Sequence, residues 1–249
     1  MTVRNLVQLL QQQADRLGPR PAIRYKRYGL YHDITWQEYQ ADVHACAAAL
    51  LDAGITPGDR VGLVAENRPE WLFADMGILA AGAANVSPHA PLTASQIHFQ
   101  LADSGVRWVF VSDGEQLQKL RQVRGRLPEL QGVVVFGPST DDAISWARFL
   151  QKGRQVLSKY ESELQSLQET MDAESLATVM YTSGTTGNPK GVVLTHGNLL
   201  SNALAVMEVA DVDYQAVRLS WLPYSHIYAR TVDHYLSLAA GLLLCLAES

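Results

Sequence analysis

The stretch Tyr181-Thr-Ser-Gly-Thr-Thr-Gly-Asn-Pro-Lys190-Gly191 gathers hydroxyls, glycines and a cation in one loop. Gly184, Gly187 and Gly191 permit positive φ and close backbone approach. Thr182, Ser183, Thr185 and Thr186 supply hydroxyls, and successive amides in such a loop can cradle phosphate oxygens. Lys190 adds a mobile cation able to neutralise charge developing on a β- or γ-phosphate, and Pro189 stiffens the chain before it. A flexible Ser/Thr/Gly surface turn is the competing reading. The loop, however, lies between two apolar runs, residues 176–181 and 191–195, which predict flanking strands. Phosphate binding is the expectation.

Spacing narrows the kind of phosphate chemistry. A Walker A loop needs four residues between its first glycine and a Gly-Lys pair, whereas Lys190 follows Pro189. The dinucleotide fingerprint GxGxxG is absent, and a nucleophile elbow around Ser183 fails because Tyr181 stands at its first glycine. A second segment, Leu219-Ser-Trp-Leu-Pro-Tyr-Ser-His226-Ile-Tyr-Ala-Arg230, offers His226 as a titratable ring, against the ordinary alternative of a hydrogen-bonded core histidine. Trp221, Tyr224 and Tyr228 could line an apolar pocket but are read as core. His196, at a strand end before Gly197-Asn198, could reach the nucleotide but is read as a helix cap.

These residues need a scaffold, and the chain predicts one. An amphipathic helix opens it, and a hairpin follows with its turn at Tyr28-Gly29. Thr35-Trp-Gln-Glu38 has capping-box spacing for a helix that Gly54 stops. From residue 60 strands and helices alternate: a strand at 60–65, a helix at 69–81, a strand at 84–86, a helix opened by Thr93, a strand at 108–112, a helix at 115–126 and a strand at 132–136. Such alternation predicts an α/β fold of mostly parallel sheets covered by helices. Residues 137–174 are polar and end in a glutamine-rich stretch, read as a solvated helix and connection. The organisation expected is a first α/β region at 1–174, with the hairpin and connecting helix, and a phosphate-loop region at 175–249 that begins a second α/β layer.

The 249-residue chain, 47% hydrophobic and 18% charged, can bury a substantial core. A net charge of −5 without a long basic run gives no electrostatic reason to expect nucleic acid as a partner. Cys46 and Cys245 lack metal-type or CxxC spacing and have apolar neighbours, which predicts reduced thiols in the cytoplasm. Arg4, Asn5 and a glutamine run interrupt the amino terminus, so no secretory signal is expected. The longest apolar run, residues 236–247, is too short to span a bilayer as a helix.

The string YTSGTTGNPKGVVLTHGNL resembles the signature of the adenylate-forming superfamily of acyl-CoA synthetases, luciferases and peptide-synthetase adenylation domains. The segment from Leu219 to Arg230 resembles that superfamily's LPLxHxxE element, in the form found in long-chain fatty acid CoA ligases. Thr35-Trp36, Arg60-Val61 and Asn67-Arg-Pro-Glu-Trp71 look like the same family's amino-terminal part, so the resemblance covers nearly the whole chain.

The resemblance implies that a carboxylate attacks Mg²⁺-bound ATP to give an acyl-adenylate and pyrophosphate, and that the thiol of coenzyme A then displaces AMP. It implies that Thr182 positions the triphosphate or its magnesium, and that Ser183, Gly184, Thr185, Thr186 and Gly187 wrap the β- and γ-phosphates. Lys190 would follow the departing pyrophosphate and His226 would lie near the carboxylate. The task is electrostatic, since two anions must meet, and it asks for no protein nucleophile.

Ala229 stands where the family often has an acid, which removes any role for that carboxylate. The family's Tyr-Gly-x-Thr-Glu element, ribose-binding aspartate and carboxy-terminal lysine do not occur in this sequence, so an incomplete fold without ligase activity of its own is expected. Two other functions stay open: a ligase loading an aryl or amino acid onto a carrier protein, and a non-catalytic split or remnant nucleotide-binding module. Peripheral membrane contact is a further expectation, as is self-association through apolar surface around residues 236–246.

Overall fold

The computed structural model describes residues 3–182 and 189–247. Asn5 caps α1 (Leu6–Leu17) by accepting from the Gln8 amide, and its own side-chain amide donates to the carbonyls of Gln168 and Met171. The predicted hairpin pairs β1 (Pro21–Arg27) with β2 (Leu30–Thr35), and its turn residues Tyr28 and Gly29 take φ of 52° and 80°. Two positive φ values in a two-residue turn match the twist of the strands they join. Thr35 and Glu38 form the expected capping box on α2 (Trp36–Asp52).

The predicted alternation continues through β3 (Arg60–Val64), α3 (Pro69–Ala80), β4 (Ala84–Val86), α4 (Ala94–Asp103), β5 (Val106–Val111), α5 (Gly114–Val123) and β6 (Gly132–Val135). A short β7 (Ile144–Ser145) and a long α6 (Trp146–Thr170) lead to β8 (Leu176–Thr182), β9 (Lys190–Thr195) and α7 (His196–Ala210). After β10 (Val217–Ser220) come α8 (Ile227–Ala229), a π-helical turn (Arg230–Tyr235), α9 (Leu236–Ala240) and β11 (Leu243–Leu246).

Among the described residues the strands form two sheets, ordered β7-β6-β5-β3-β4-β8-β9 and β10-β11-β1-β2. Both are parallel except at one edge, where β9 and β2 run antiparallel to their neighbours. This is the mostly parallel α/β architecture expected. β8 pairs with β4, so the strand that enters the phosphate loop lies in the sheet built by residues 60–145. The chain leaves β3 for β4 on one side and then returns to place β5 on the other. Such a switch point opens a crevice at the carboxyl ends of the strands, where α/β folds bind ligands.

Helix α3 is buried along its whole length except at Glu70, as an all-round apolar helix must be. Two expectations are corrected. The glutamine-rich stretch forms the expected helix but is not merely solvated: α6 packs along α2, with Gly153 against Ala45, and Trp146 and Phe149 at its start meet Phe110, a buried stripe masked by polar residues on its other faces. The apolar run 236–246 is not exposed either. Leu236, Leu238, Leu242, Leu244 and Leu246 are buried because β11 is an inner strand between β10 and β1 and α9 packs on α1 and α7. No helix among the described residues is long and apolar enough to cross a membrane.

Gly153 sets the approach of α6 to α2, because a Cβ there would fall 1.8 Å from the Ala45 carbonyl oxygen. In an exposed helix interior, alanine gains up to about 1 kcal/mol over glycine. Here Gly153→Ala is expected to destabilise the chain by roughly 2 kcal/mol or more through overpacking. Urea denaturation checks this, and a neutral or stabilising effect would contradict the close contact.

Candidate functional site

The described ends of the predicted phosphate loop are Thr182 and Lys190, which face each other as register partners across β8 and β9, both exposed. Ser183, Gly184, Thr185, Thr186 and Gly187 lie outside the described residues. Immediately before the loop, the Tyr181 hydroxyl donates to Asp103 at 2.6 Å and its ring meets Phe99 edge-on, which fastens the end of β8 to α4. Partial burial, with Asp103 beside it, pushes the phenol's pKa up, so Tyr181 stays a neutral donor. Gly191 does not use positive φ. It provides close approach: a Cβ there would stand 3.0 Å from Val179 and 3.3 Å from the Tyr181 ring.

His226 is exposed and sits just ahead of α8. Its segment is held from the other sheet by two residues that the sequence reading gave no role. Asn67, in the loop after β3, donates to the Leu222 carbonyl at 2.7 Å and accepts from the Tyr224 amide at 2.9 Å. His89, in the loop after β4, shares a 2.6 Å hydrogen bond with buried Ser225, and its ring lies 4.2 Å from that of His226. Both supports leave the carboxyl ends of strands at the switch point. The Asn67-Arg-Pro-Glu-Trp71 string could have pointed to Asn67, whereas nothing in the sequence marks His89.

Beneath this segment lies a buried polar cluster. Asp75 of α3 is ion-paired with Arg230 of the π-helical turn, and neither is exposed to solvent. Asp75 also accepts from Asn85 at 2.7 Å and from the Tyr235 hydroxyl at 3.0 Å. Arg230 donates to the Thr178 hydroxyl at 2.9 Å, and that hydroxyl donates to the Asn85 carbonyl at 2.7 Å. Burial alone would raise the Asp75 pKa, but Arg230 and His234 beside it prevail and hold it below the usual carboxylate range. Burial keeps His234 neutral, with its Nε2 2.8 Å from the Tyr39 hydroxyl. The π-helical turn puts Arg230 and His234 in this cluster while Asp233 receives Arg218 and Ser220 at 2.8 Å each.

Four side-chain readings are sorted by this geometry. Tyr224 is core, packed against Trp71 and His234, but Trp221 is 70% and Tyr228 63% exposed. Tyr228 instead lines a cleft of about 370 Å³ with Leu194, Leu199, Val206, Ile227 and Val232. A larger cleft of about 690 Å³ is lined by Trp108, Arg124, Asp142 and Arg148 and shares no residue with the loop or the His226 segment. His196 does not cap α7, because Thr195 and Asn198 form that capping box. The imidazole is buried and its Nδ1 accepts from the Leu6 amide at 3.3 Å, so it serves the start of α1 instead. Among the described residues no cluster of three His, Cys, Asp or Glu could hold a metal ion.

A family model described as AMP-binding enzyme matches residues 10–249. A long-chain-fatty-acid–CoA ligase of Xenopus laevis is 28% identical over 242 residues, covering 94% of this chain and 32% of that protein. The long-chain-fatty-acid–CoA ligase heimdall of Drosophila melanogaster is 31% identical over 246 residues, covering 93% and 36%. The chain thus spans about a third of the length of these curated relatives. The anthranilate CoA ligase AuaEII in complex with anthranoyl-AMP superposes with a TM-score of 0.85 at 20% identity, over 100% of this chain and 46% of its own. A Mycobacterium tuberculosis fatty acyl CoA synthetase gives 0.73 at 23% identity, over 98% and 44%. At these identities the structures establish the likeness of fold.

Two outcomes follow from the buried groups. Arg230→Met leaves Asp75 uncompensated and is expected to cost roughly 3–5 kcal/mol, with much of it recovered when Asp75→Leu is added; a loss below about 1 kcal/mol in urea would contradict the cluster's weight. Burial lowers the His196 pKa to about 4. An unfolded histidine titrates near 6.5, so the unfolded chain takes up the proton first and stability is lost as pH falls from 6.5 towards 4, by about 3 kcal/mol in total. His196→Gln should flatten that part of the stability profile, and an unchanged slope would count against it.

Proposed function

We propose, for a chain that belongs to the AMP-binding enzyme family, that its residues supply the triphosphate and carboxylate sites of an ATP-dependent acid–thiol ligase acting on a long-chain fatty acid. The observation that carries this reading is the convergence of two strand ends. β8, which opens into the phosphate loop, is the sheet neighbour of β4, whose following loop touches His226 from the second sheet. A triphosphate on the loop and an acid at His226 would therefore share one crevice, as attack of a carboxylate on an α-phosphate requires.

In this reading the residues work by placing charge. Lys190 offers its ammonium to the β- and γ-phosphates and follows pyrophosphate away, while Ser183, Gly184, Thr185, Thr186 and Gly187 line the phosphates with amides and hydroxyls. His226 orients the carboxylate. Mg²⁺ keeps several waters and takes few protein oxygens when phosphates share it. The exposed hydroxyl of Thr182 fits such a minor share, and the ion would supply charge neutralisation at the triphosphate.

The apolar cleft lined by Leu194, Leu199, Val206, Ile227 and Val232 supports an acyl chain as substrate. The names of the Xenopus and Drosophila relatives support coenzyme A as the acceptor. Free Cys46 and Cys245 suit a cytoplasmic setting.

Isothermal titration of the full 249-residue chain with Mg²⁺–ATP is expected to show binding that Lys190→Ala weakens about tenfold, the loss of one charge-assisted contact. Addition of a long-chain fatty acid is expected to release no pyrophosphate from this chain alone. Absence of nucleotide binding, or equal affinity in Lys190→Ala, would refute the phosphate assignment. Sustained fatty-acid-dependent pyrophosphate release would show that these residues suffice for the first half-reaction.

A further inference from the structure

The pairing of His89 with Ser225 and His226 goes beyond the residues expected from the sequence. His89 is half-buried and lies in the loop that leaves β4, so it stands on the rigid, fully buried end of the first sheet. Ser225 is 6% exposed and its hydroxyl lies 2.6 Å from His89 Nδ1. A serine hydroxyl donating to Nδ1 fixes the neutral ring with its proton on Nε2. That N–H has no partner among the described residues. The His226 ring crosses it at 63° with centroids 4.2 Å apart, too close for both rings to ignore one another.

Two further observations bear on what such a pair would bind. The neighbouring Lys119 ammonium donates to the Ala90 carbonyl at 2.8 Å, which places a cation next to the loop, although Glu115 at 3.1 Å partly offsets it. Partial burial and the neighbouring His226 both lower the pKa of His89, which keeps it a neutral donor near pH 7. A neutral N–H donor beside a second imidazole and a cation suits a carboxylate better than a cation or an apolar group.

We propose that His89 is a second carboxylate-binding imidazole, fixed by Ser225 so that its Nε2–H and the His226 ring together receive the head group of the acid. The proposal rests on the carboxylate reading of His226 given above. It adds a residue contributed by the first sheet, so that the acid is held from both sheets at once. Ser225 acts through His89 and is a positioning residue.

The test uses the full chain with decanoate and its uncharged counterpart methyl decanoate. Nitrogen-15 histidine spectra, assigned with His89→Asn and His226→Gln, are expected to show His89 as the Nε2–H tautomer in the free chain. Decanoate affinity is expected to fall about tenfold in His89→Ala, equivalent to about 1.4 kcal/mol, and to a smaller extent in Ser225→Ala. Methyl decanoate, which presents no anion, should bind wild type and His89→Ala alike.

An Nδ1–H tautomer, unchanged decanoate affinity in His89→Ala, or equal loss of both ligands would overturn the proposal. If wild type binds methyl decanoate but His89→Ala leaves decanoate unaffected, His89 is excluded while the acyl cleft stands. If wild type binds neither ligand, the acyl reading of the site fails and takes this inference with it.

Discussion

The buried pair of Asp75 and Arg230 is the constraint on which the rest of the arrangement depends. Its partners come from α3 and the π-helical turn, and through Asn85 and Thr178 it also grips β4 and β8. Removing two charges from water costs several kcal/mol each, and their attraction rarely returns a surplus. What the pair provides is specificity. Any packing that separates the two sheets' contributions leaves a naked charge in the core, so alternatives are disfavoured far more than the native state is favoured. Arg230 is joined to His226 through one short helix, and Thr178 to Thr182 through one strand. The same pair therefore fixes both ends of the candidate crevice.

Most of the scaffold was legible because local rules and the final fold agree. The capping boxes at Thr35 and Thr93, the positive-φ turn at Tyr28-Gly29 and the strand–helix alternation are each encoded within a few residues and survive packing intact. The failures share a cause, since each depends on a partner distant in sequence. The row of α6 that docks on α2 includes Gly153, which reads as a weakness in a helix until the Ala45 carbonyl is seen against it. The leucines after residue 236 look exposed until β11 is placed between β1 and β10. His196 has the position of a cap, but tertiary structure gives it the amide of Leu6.

The candidate site divides in the same way. The proposed phosphate-binding part is a contiguous loop whose composition alone points to that chemistry, and its two described ends, Thr182 and Lys190, stand opposite one another. The proposed acid-binding part is assembled from three separate segments, of which those carrying His226 and Asn67 resemble a known pattern while nothing in the sequence marks His89. Asn67 and His89 follow β3 and β4 and act on that segment across the seam between sheets. Residues placed by topology at a switch point have no reason to be close in sequence, so periodicity and spacing cannot find them.

One crevice at the ends of β4 and β8 is proposed to receive a nucleotide triphosphate beside His226. Line broadening by Mn²⁺–ATP in the full chain tests it directly, since the paramagnetic ion relaxes nuclei close to it. Selective broadening of the amides of Thr182 and Lys190 and of the His226 and His89 ring signals is expected, with His44 and His98 unaffected. Broadening centred instead on the cleft lined by Trp108, Arg124 and Arg148, or spread evenly over the surface, would contradict it.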